Sequence, residues 1–147
     1  MEIAVLALGC FWGPEIKFGK FKGIVRTEVG YCGGNNANTT YKEVCTGNTN
    51  HAEVVKLEFD PKIISYEEIL DHFFKIHDPT TLNSQGPDFG SQYRSEIFYL
   101  NSNQKNIAEK KIEKENQILS GKVVTKLSVV KNYCTAEEYH QKYLEKK

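Results

Sequence analysis

Apolar residues run almost unbroken from Ile3 to Leu8 and stop at Gly9, which predicts a buried strand over Glu2 to Leu8 followed by a turn. A short helix is expected next. Pro14 fits its first turn, where a missing backbone donor costs nothing, and Glu15 suits the positive end of the helix dipole. Gly19 or Gly23 closes it, and Ile24 to Tyr31 forms a second strand. From Cys32 to Asn50, Gly, Asn and Thr dominate, which reads as a long surface loop of the kind that carries function. Ala52 to Phe59 alternates as a third strand, ended by Asp60 and Pro61. Ser65 followed by Glu68 is a capping-box signature, and Ile69, Leu70, Phe73, Phe74 and Ile76 give the helix behind it an apolar face. A second loop covers Asp78 to Tyr93, and Ser95 to Leu100 is a fourth strand. A charged amphipathic helix over Ser102 to Leu119, an additional strand over Val123 to Val130 and a terminal helix over Ala136 to Glu145 complete the series.

The order strand, helix, strand, strand, helix, strand from residue 2 to 100 predicts an α+β fold, a ferredoxin-like split βαβ sandwich with an additional C-terminal helix, strand and helix. In that topology the first two strands run parallel with the third antiparallel between them. Cys10, Cys32, the start of the third strand near Glu53 and the start of the fourth near Tyr93 then share one edge of the sheet.

Composition narrows the function classes. At 147 residues with 39% hydrophobic and 26% charged side chains, the chain suits one domain over residues 1–147 with one main core. Nineteen basic and nineteen acidic side chains cancel, so no basic field is available to draw in nucleic acid or an anionic membrane. The longest apolar stretch is far short of the ~20 residues of a spanning helix, and no basic leader precedes it, so a cytoplasmic location is expected. The four cysteines, Cys10, Cys32, Cys45 and Cys134, form no CxxC pair and accompany no His cluster, so no metal site is expected and the cysteines are read as thiols at rest.

Cys10 stands in the turn Gly9 to Gly13, at or just before a helix N-terminus, where unpaired backbone donors favour a thiolate over a thiol. Taken alone, it reads better as a buried thiol packed with Phe11 and Trp12. Glu53 alone reads as a strand carboxylate, Tyr41 and Tyr93 as loop rings packed over the core, and Asp88 as a turn former. His51 and His140 read as structural hydrogen-bonders, and Cys45 as structural packing.

Seven ordered stretches change that weighting: GCFWG with Pro14 and Glu15, GYCGG at 30–34, Tyr41 with VCTG, NHAEVV at 50–55, HDPTT at 77–81, QGPDFGSQYRS at 85–95 and AEEYHQKYL at 136–144. Together they resemble the signatures of A-type peptide methionine sulfoxide reductases. The resemblance implies a peptide-methionine (S)-S-oxide reductase acting on methionine sulfoxide, free or in peptides and proteins, as part of protein repair. It implies Cys10 as nucleophile, Glu53 as proton donor, and Tyr41 and Tyr93 as hydroxyl donors near the sulfoxide oxygen. Phe11 and Trp12 would receive the substrate's methyl group, with Asp88 as a pocket residue. Such chemistry is sound, because reduction needs attack on sulfur while the oxygen is protonated or hydrogen-bonded, and burial beside Phe11 and Trp12 would raise the Glu53 pKa enough to hold a proton. Attack leaves a sulfenic acid at Cys10 that condenses with another thiol. Family members often carry resolving cysteines in a Gly-rich C-terminal tail, which residues up to Lys147 do not include. Cys134 and then Cys32 are therefore the resolving candidates, thioredoxin (or dithiothreitol in its place) the external reductant, a monomer the expected form, and no metal or organic cofactor is expected. Two other classes stay open: a one-cysteine thiol peroxidase or redox sensor, and a non-catalytic module that merely grips a methyl-bearing side chain.

Overall fold

The computed structural model describes residues 1–146. Its core is a sheet in which β1 (Glu2–Leu8), β2 (Ile24–Cys32), β3 (Ala52–Phe59) and β6 (Ser95–Tyr99) take the order β6-β1-β3-β2, with β3 antiparallel to both β1 and β2. This is the expected split βαβ arrangement. β7 (Lys126–Val129) extends one edge in parallel with β6, and β8 (Cys134–Thr135) extends the other against β2.

Alternation along the strands sends side chains to two faces. From β1, Ala4, Leu6 and Leu8 join Val55, Leu57 and Phe59 of β3 under α1 (Trp12–Gly19), α3 (Tyr66–Lys75) and α4 (Ser102–Ile118), with Phe18, Ile69, Leu70, Phe73 and Ala108 as the helical contribution. Val5 and Ala7 face the other way, with Cys32, Ala52, Val54 and Phe98. α3 begins with the capping box expected at Ser65: its hydroxyl accepts from the Glu68 N–H, and the Glu68 carboxylate accepts from the Ser65 N–H.

Three expectations are corrected. The loop after β2 contains a short helix, α2 (Tyr41–Cys45), started by Thr40, whose hydroxyl accepts from the Glu43 N–H at 3.2 Å. The same Thr-x-x-Glu signal is present in the sequence there, but five residues carry too little periodicity to show a helix. The second loop folds into a hairpin of β4 (Ser84–Gln85) and β5 (Asp88–Phe89) and a 3₁₀ turn, Ser91–Tyr93.

The third correction concerns the C-terminus. Ala136 to Glu145 is no α-helix; it holds one 3₁₀ turn, Glu138–His140, and Lys142 has a φ of 51°. Its polar side chains bond to the sheet in place of a helical ladder. The Gln141 amide donates to the Val29 carbonyl and accepts from the Val29 N–H, both at 2.9 Å, so it pairs with β2 as a strand residue would. The Lys142 N–H donates to the buried Glu15 carboxylate at 2.6 Å, whose other oxygen accepts from the Thr27 hydroxyl. These are specific long-range bonds, and an amphipathic pattern in the sequence cannot distinguish them from a helix face.

Candidate active site

β1 delivers Cys10 to the end of the sheet. Gly9 turns the chain with a φ of 93°, and a Cβ there would lie 2.8 Å from the Gln85 side chain, so only glycine lets the 78–93 loop close over the cysteine turn. That loop is fastened by Gln85, whose amide exchanges two 2.8 Å hydrogen bonds with the backbone of Asp78. His77 fastens it again: its ring bonds the Phe73 carbonyl at the end of α3 and the Ser95 hydroxyl at the start of β6. Burial holds His77 neutral, with its pKa down at about 4, so this strut does not titrate near neutral pH.

Glu53 comes from the start of β3, opposite Tyr31 of β2. It has the parity of Val55, Leu57 and Phe59, which places it on the helix-bearing face where Phe11 sits. Its side chain is sealed in, with the residue 1% exposed. One carboxyl oxygen accepts from the Phe11 N–H at 3.2 Å, while the other is buried with no partner among the described residues. Burial pushes the Glu53 pKa up to about 8, the Asp88 charge adds to this, and the Phe11 N–H opposes it. The carboxyl therefore carries its proton at neutral pH.

Cys10 is half-buried and differs from expectation. Its thiol is pushed up to about 11, mainly by burial; the Trp12 N–H acts to lower it, and the Asp88 charge adds to the rise. The helix effect is present but outweighed, because α1 begins only at Trp12 and lends little more than one donor, whereas desolvation and the Asp88 charge act against the thiolate. In the free protein Cys10 is a protonated thiol beside a protonated acid.

Phe11 and Trp12 follow Cys10 and pack among other rings at this end of the sheet. Phe11 is buried, 5.7 Å from the Tyr31 ring and 5.2 Å from His140. Trp12 stacks on Tyr143 at 3.9 Å, and its indole N–H donates to His140 Nδ1 at 3.0 Å. His140 is thus the hydrogen-bonder the sequence suggested, and its work is to orient Trp12. Tyr41, the first residue of α2, packs 4.4 Å from His140, and its hydroxyl lies in hydrogen-bonding reach of both Tyr93 and Cys45. Burial raises both tyrosines, Tyr93 to about 12, so both hydroxyls stay donors. Asp88 lies in β5, and its charge is felt by Cys10, Glu53 and Tyr93.

Glu137 was not singled out from the sequence. Its carboxylate accepts from the Tyr31 hydroxyl at 2.7 Å and the Tyr41 N–H at 2.9 Å, clamping α2 to the sheet. Burial works against its charge, yet these donors hold its carboxyl below the usual range. Only its place in the AEEYHQKYL stretch could have drawn notice to it. Cys45 also departs from expectation: instead of packing inside, it is exposed at the end of α2. Cys32 is fully buried, and its thiol donates to the Lys131 carbonyl at 3.4 Å. Cys134 is half-buried opposite Tyr31, its sulfur 3.7 Å from the Thr39 carbonyl oxygen.

A thiol, a protonated acid with one unsatisfied oxygen, two tyrosine hydroxyls and a cluster of aromatic rings thus meet at one sheet end. Known proteins share both the sequence and the fold. The family model described as peptide methionine sulfoxide reductase matches residues 2–147. A peptide methionine sulfoxide reductase MsrA from Pelagibacter ubique is 76% identical over 147 residues, all of both chains. Its counterpart from Methanosarcina acetivorans is 51% identical, over 100% of this chain and 79% of that one. The reduced form of Mxr1 from Saccharomyces cerevisiae superposes with a TM-score of 0.93 at 43% identity, covering 99% of this chain and 84% of Mxr1. Mxr1 in complex with Trx2 matches with a TM-score of 0.68 at 30% identity, covering 97% and 84%. The sequence and the fold together make this chain a member of the peptide methionine sulfoxide reductase family.

Proposed function

We propose that the chain reduces the S epimer of methionine sulfoxide, free or in peptides and proteins, with thioredoxin as the source of electrons. The observation that carries this reading is Glu53: a buried acid, protonated at neutral pH, beside Cys10 and with one oxygen left without a partner. A sulfoxide oxygen is the acceptor such a group lacks. As the Cys10 sulfur attacks the substrate sulfur, Glu53 gives its proton to the oxygen, and the Tyr41 and Tyr93 hydroxyls donate to the same atom. The Cys10 thiol proton replaces the one that Glu53 gave up. The S–O bond to the substrate breaks and one to Cys10 forms, so the substrate sulfur gains two electrons and Cys10, now a sulfenic acid, loses two. The methyl group rests on Phe11 and Trp12, and Asp88 helps keep Glu53 protonated.

A thiol left protonated until substrate arrives suits this chemistry better than a peroxidase, which depends on a standing thiolate. A passive binding module would have no use for the buried acid. We place the enzyme in the cytoplasm as a monomeric catalytic unit without metal or organic cofactor; among the described residues no helix is long and apolar enough to cross a membrane. The complex of the related Mxr1 with Trx2 supports thioredoxin as reductant. The test is turnover of each sulfoxide epimer with dithiothreitol: the S epimer is reduced, the R epimer is not, and Cys10→Ser is inactive. Full activity in Cys10→Ser overturns the reading.

A further inference from the structure

Sulfenic acid at Cys10 needs a second thiol, and the fold separates the three remaining cysteines. Cys32 packs with Val5, Ala7, Ala52, Val54 and Phe98, on the face of the sheet opposite the one that Glu53 occupies. Reaching Cys10 would take it through the sheet. Cys134 lies on the Glu53 face and packs in one cluster with Phe11, Tyr31 and Tyr41, but it is fixed in edge strand β8 by pairing with Tyr31, its sulfur close to the carbonyls of Thr39 and Thr135. Cys45 ends α2, whose Tyr41 and Val44 pack with Phe11 and Trp12, the two residues that follow Cys10. Cys45 stands one helical turn after Tyr41, whose hydroxyl is near its thiol, so it borders the site from the solvent side.

Resting on the reading above, we propose that Cys45 is the resolving cysteine, condensing with the Cys10 sulfenic acid to a Cys10–Cys45 disulfide that faces solvent for the external dithiol.

In that step the Cys45 sulfur attacks the Cys10 sulfur, an S–S bond forms and the S–O bond breaks. The Cys45 thiol proton leaves with the hydroxyl as water, so Cys45 is oxidised and Cys10 reduced. A disulfide requires Cα atoms within about 4.4–6.8 Å, and the element carrying Cys45 is built to give. α2 has five residues, Cys45 is its last, and Gly47 just beyond has a φ of 79° with open space around its Cα. Its C-terminal bonds, Thr46 N–H to the Glu43 carbonyl and Gly47 N–H to the Val44 carbonyl, lie next to exposed side chains, and a helix this short gains little from cooperativity. Glu137 and Thr40 meanwhile hold the N-terminal end, so the last turn moves while Tyr41 stays in the site. An attacking thioredoxin thiolate then meets the exposed Cys45 sulfur and releases Cys10; the second thioredoxin thiol closes its own disulfide.

The test treats the full chain, without reductant, with one equivalent of methionine S-sulfoxide, measuring methionine formed, thiols lost and disulfide-linked peptides under non-reducing digestion. Expected are one methionine, loss of two of the four thiols and a Cys10–Cys45 peptide, in wild type and equally in Cys32→Ser and Cys134→Ser. In Cys45→Ser, Cys10 is expected to accumulate as a dimedone-reactive sulfenic acid, which also proves the variant folded, and thioredoxin-driven turnover falls at least about tenfold. Methionine formation with Cys10 bonded to Cys32 or Cys134, or Cys45→Ser turning over with thioredoxin at the wild-type rate, overturns the proposal while sparing the reductase reading. Wild type that forms no methionine overturns both.

Discussion

Replacing Glu53 with Gln is expected to abolish catalysis and stabilise the protein in alkaline solution, two effects with one cause. In the fold the carboxyl titrates at about 8, against an ordinary value of 4.5, because burial disfavours the charged form. The folded state therefore holds a proton that the unfolded chain has released, so wild-type stability falls as pH rises from 4.5 and levels off above 8. At about 1.4 kcal/mol for each tenfold difference in proton affinity, ionisation of Glu53 costs the fold roughly 4 to 5 kcal/mol when complete. Gln is close in size and never ionises. Urea denaturation of both proteins at pH 5 and pH 8 should show the stability advantage of Glu53→Gln widening by roughly 3 kcal/mol. S-sulfoxide turnover should drop by about 10² to 10⁴, since an amide cannot give up a proton. A stability gap that does not widen with pH would refute the claim that Glu53 is held protonated, and turnover within tenfold of wild type would refute its role as acid.

The other expectations follow from the same geometry. Tyr41→Phe and Tyr93→Phe should each lower kcat by about 10- to 100-fold with little change in KM, and a double variant with a kcat within twofold of wild type would remove both from the mechanism. Trp12→Ala loses the stack on Tyr143 and the ring proposed to receive the methyl group, and should raise KM for sulfoxide more than it lowers kcat in steady-state assays. Glu137→Ala leaves the Tyr31 hydroxyl and Tyr41 N–H without their acceptor; a loss of about 1–3 kcal/mol in urea unfolding, with a lower kcat, is expected. Gly34→Ala would drive a Cβ into the buried His51 ring, and about 1–3 kcal/mol of destabilisation should appear in the same measurement.

Most of the frame was legible in the sequence because it rests on local signals. The apolar run into Gly9, the capping box at Ser65 and the alternation in Ala52 to Phe59 each depend on neighbours a few residues away. Their order was enough to bring Cys10, Glu53 and Tyr93 to one sheet edge, and seven ordered motifs named the chemistry that meets there. Tertiary structure decided the rest, since those properties come from groups far apart in the chain. Whether Cys10 is a thiol depends on burial and on the Asp88 carboxylate supplied by β5, which outweigh the helix terminus that the sequence displays. The segment from Ala136 resembles a helix until Gln141 and Lys142 are seen bonding to Val29 and Glu15, more than a hundred residues earlier. The sequence says least about the second sulfur: strand parity turns Cys32 to the face opposite Glu53, and a five-residue helix with almost no periodicity places Cys45, the proposed partner, one turn from Tyr41.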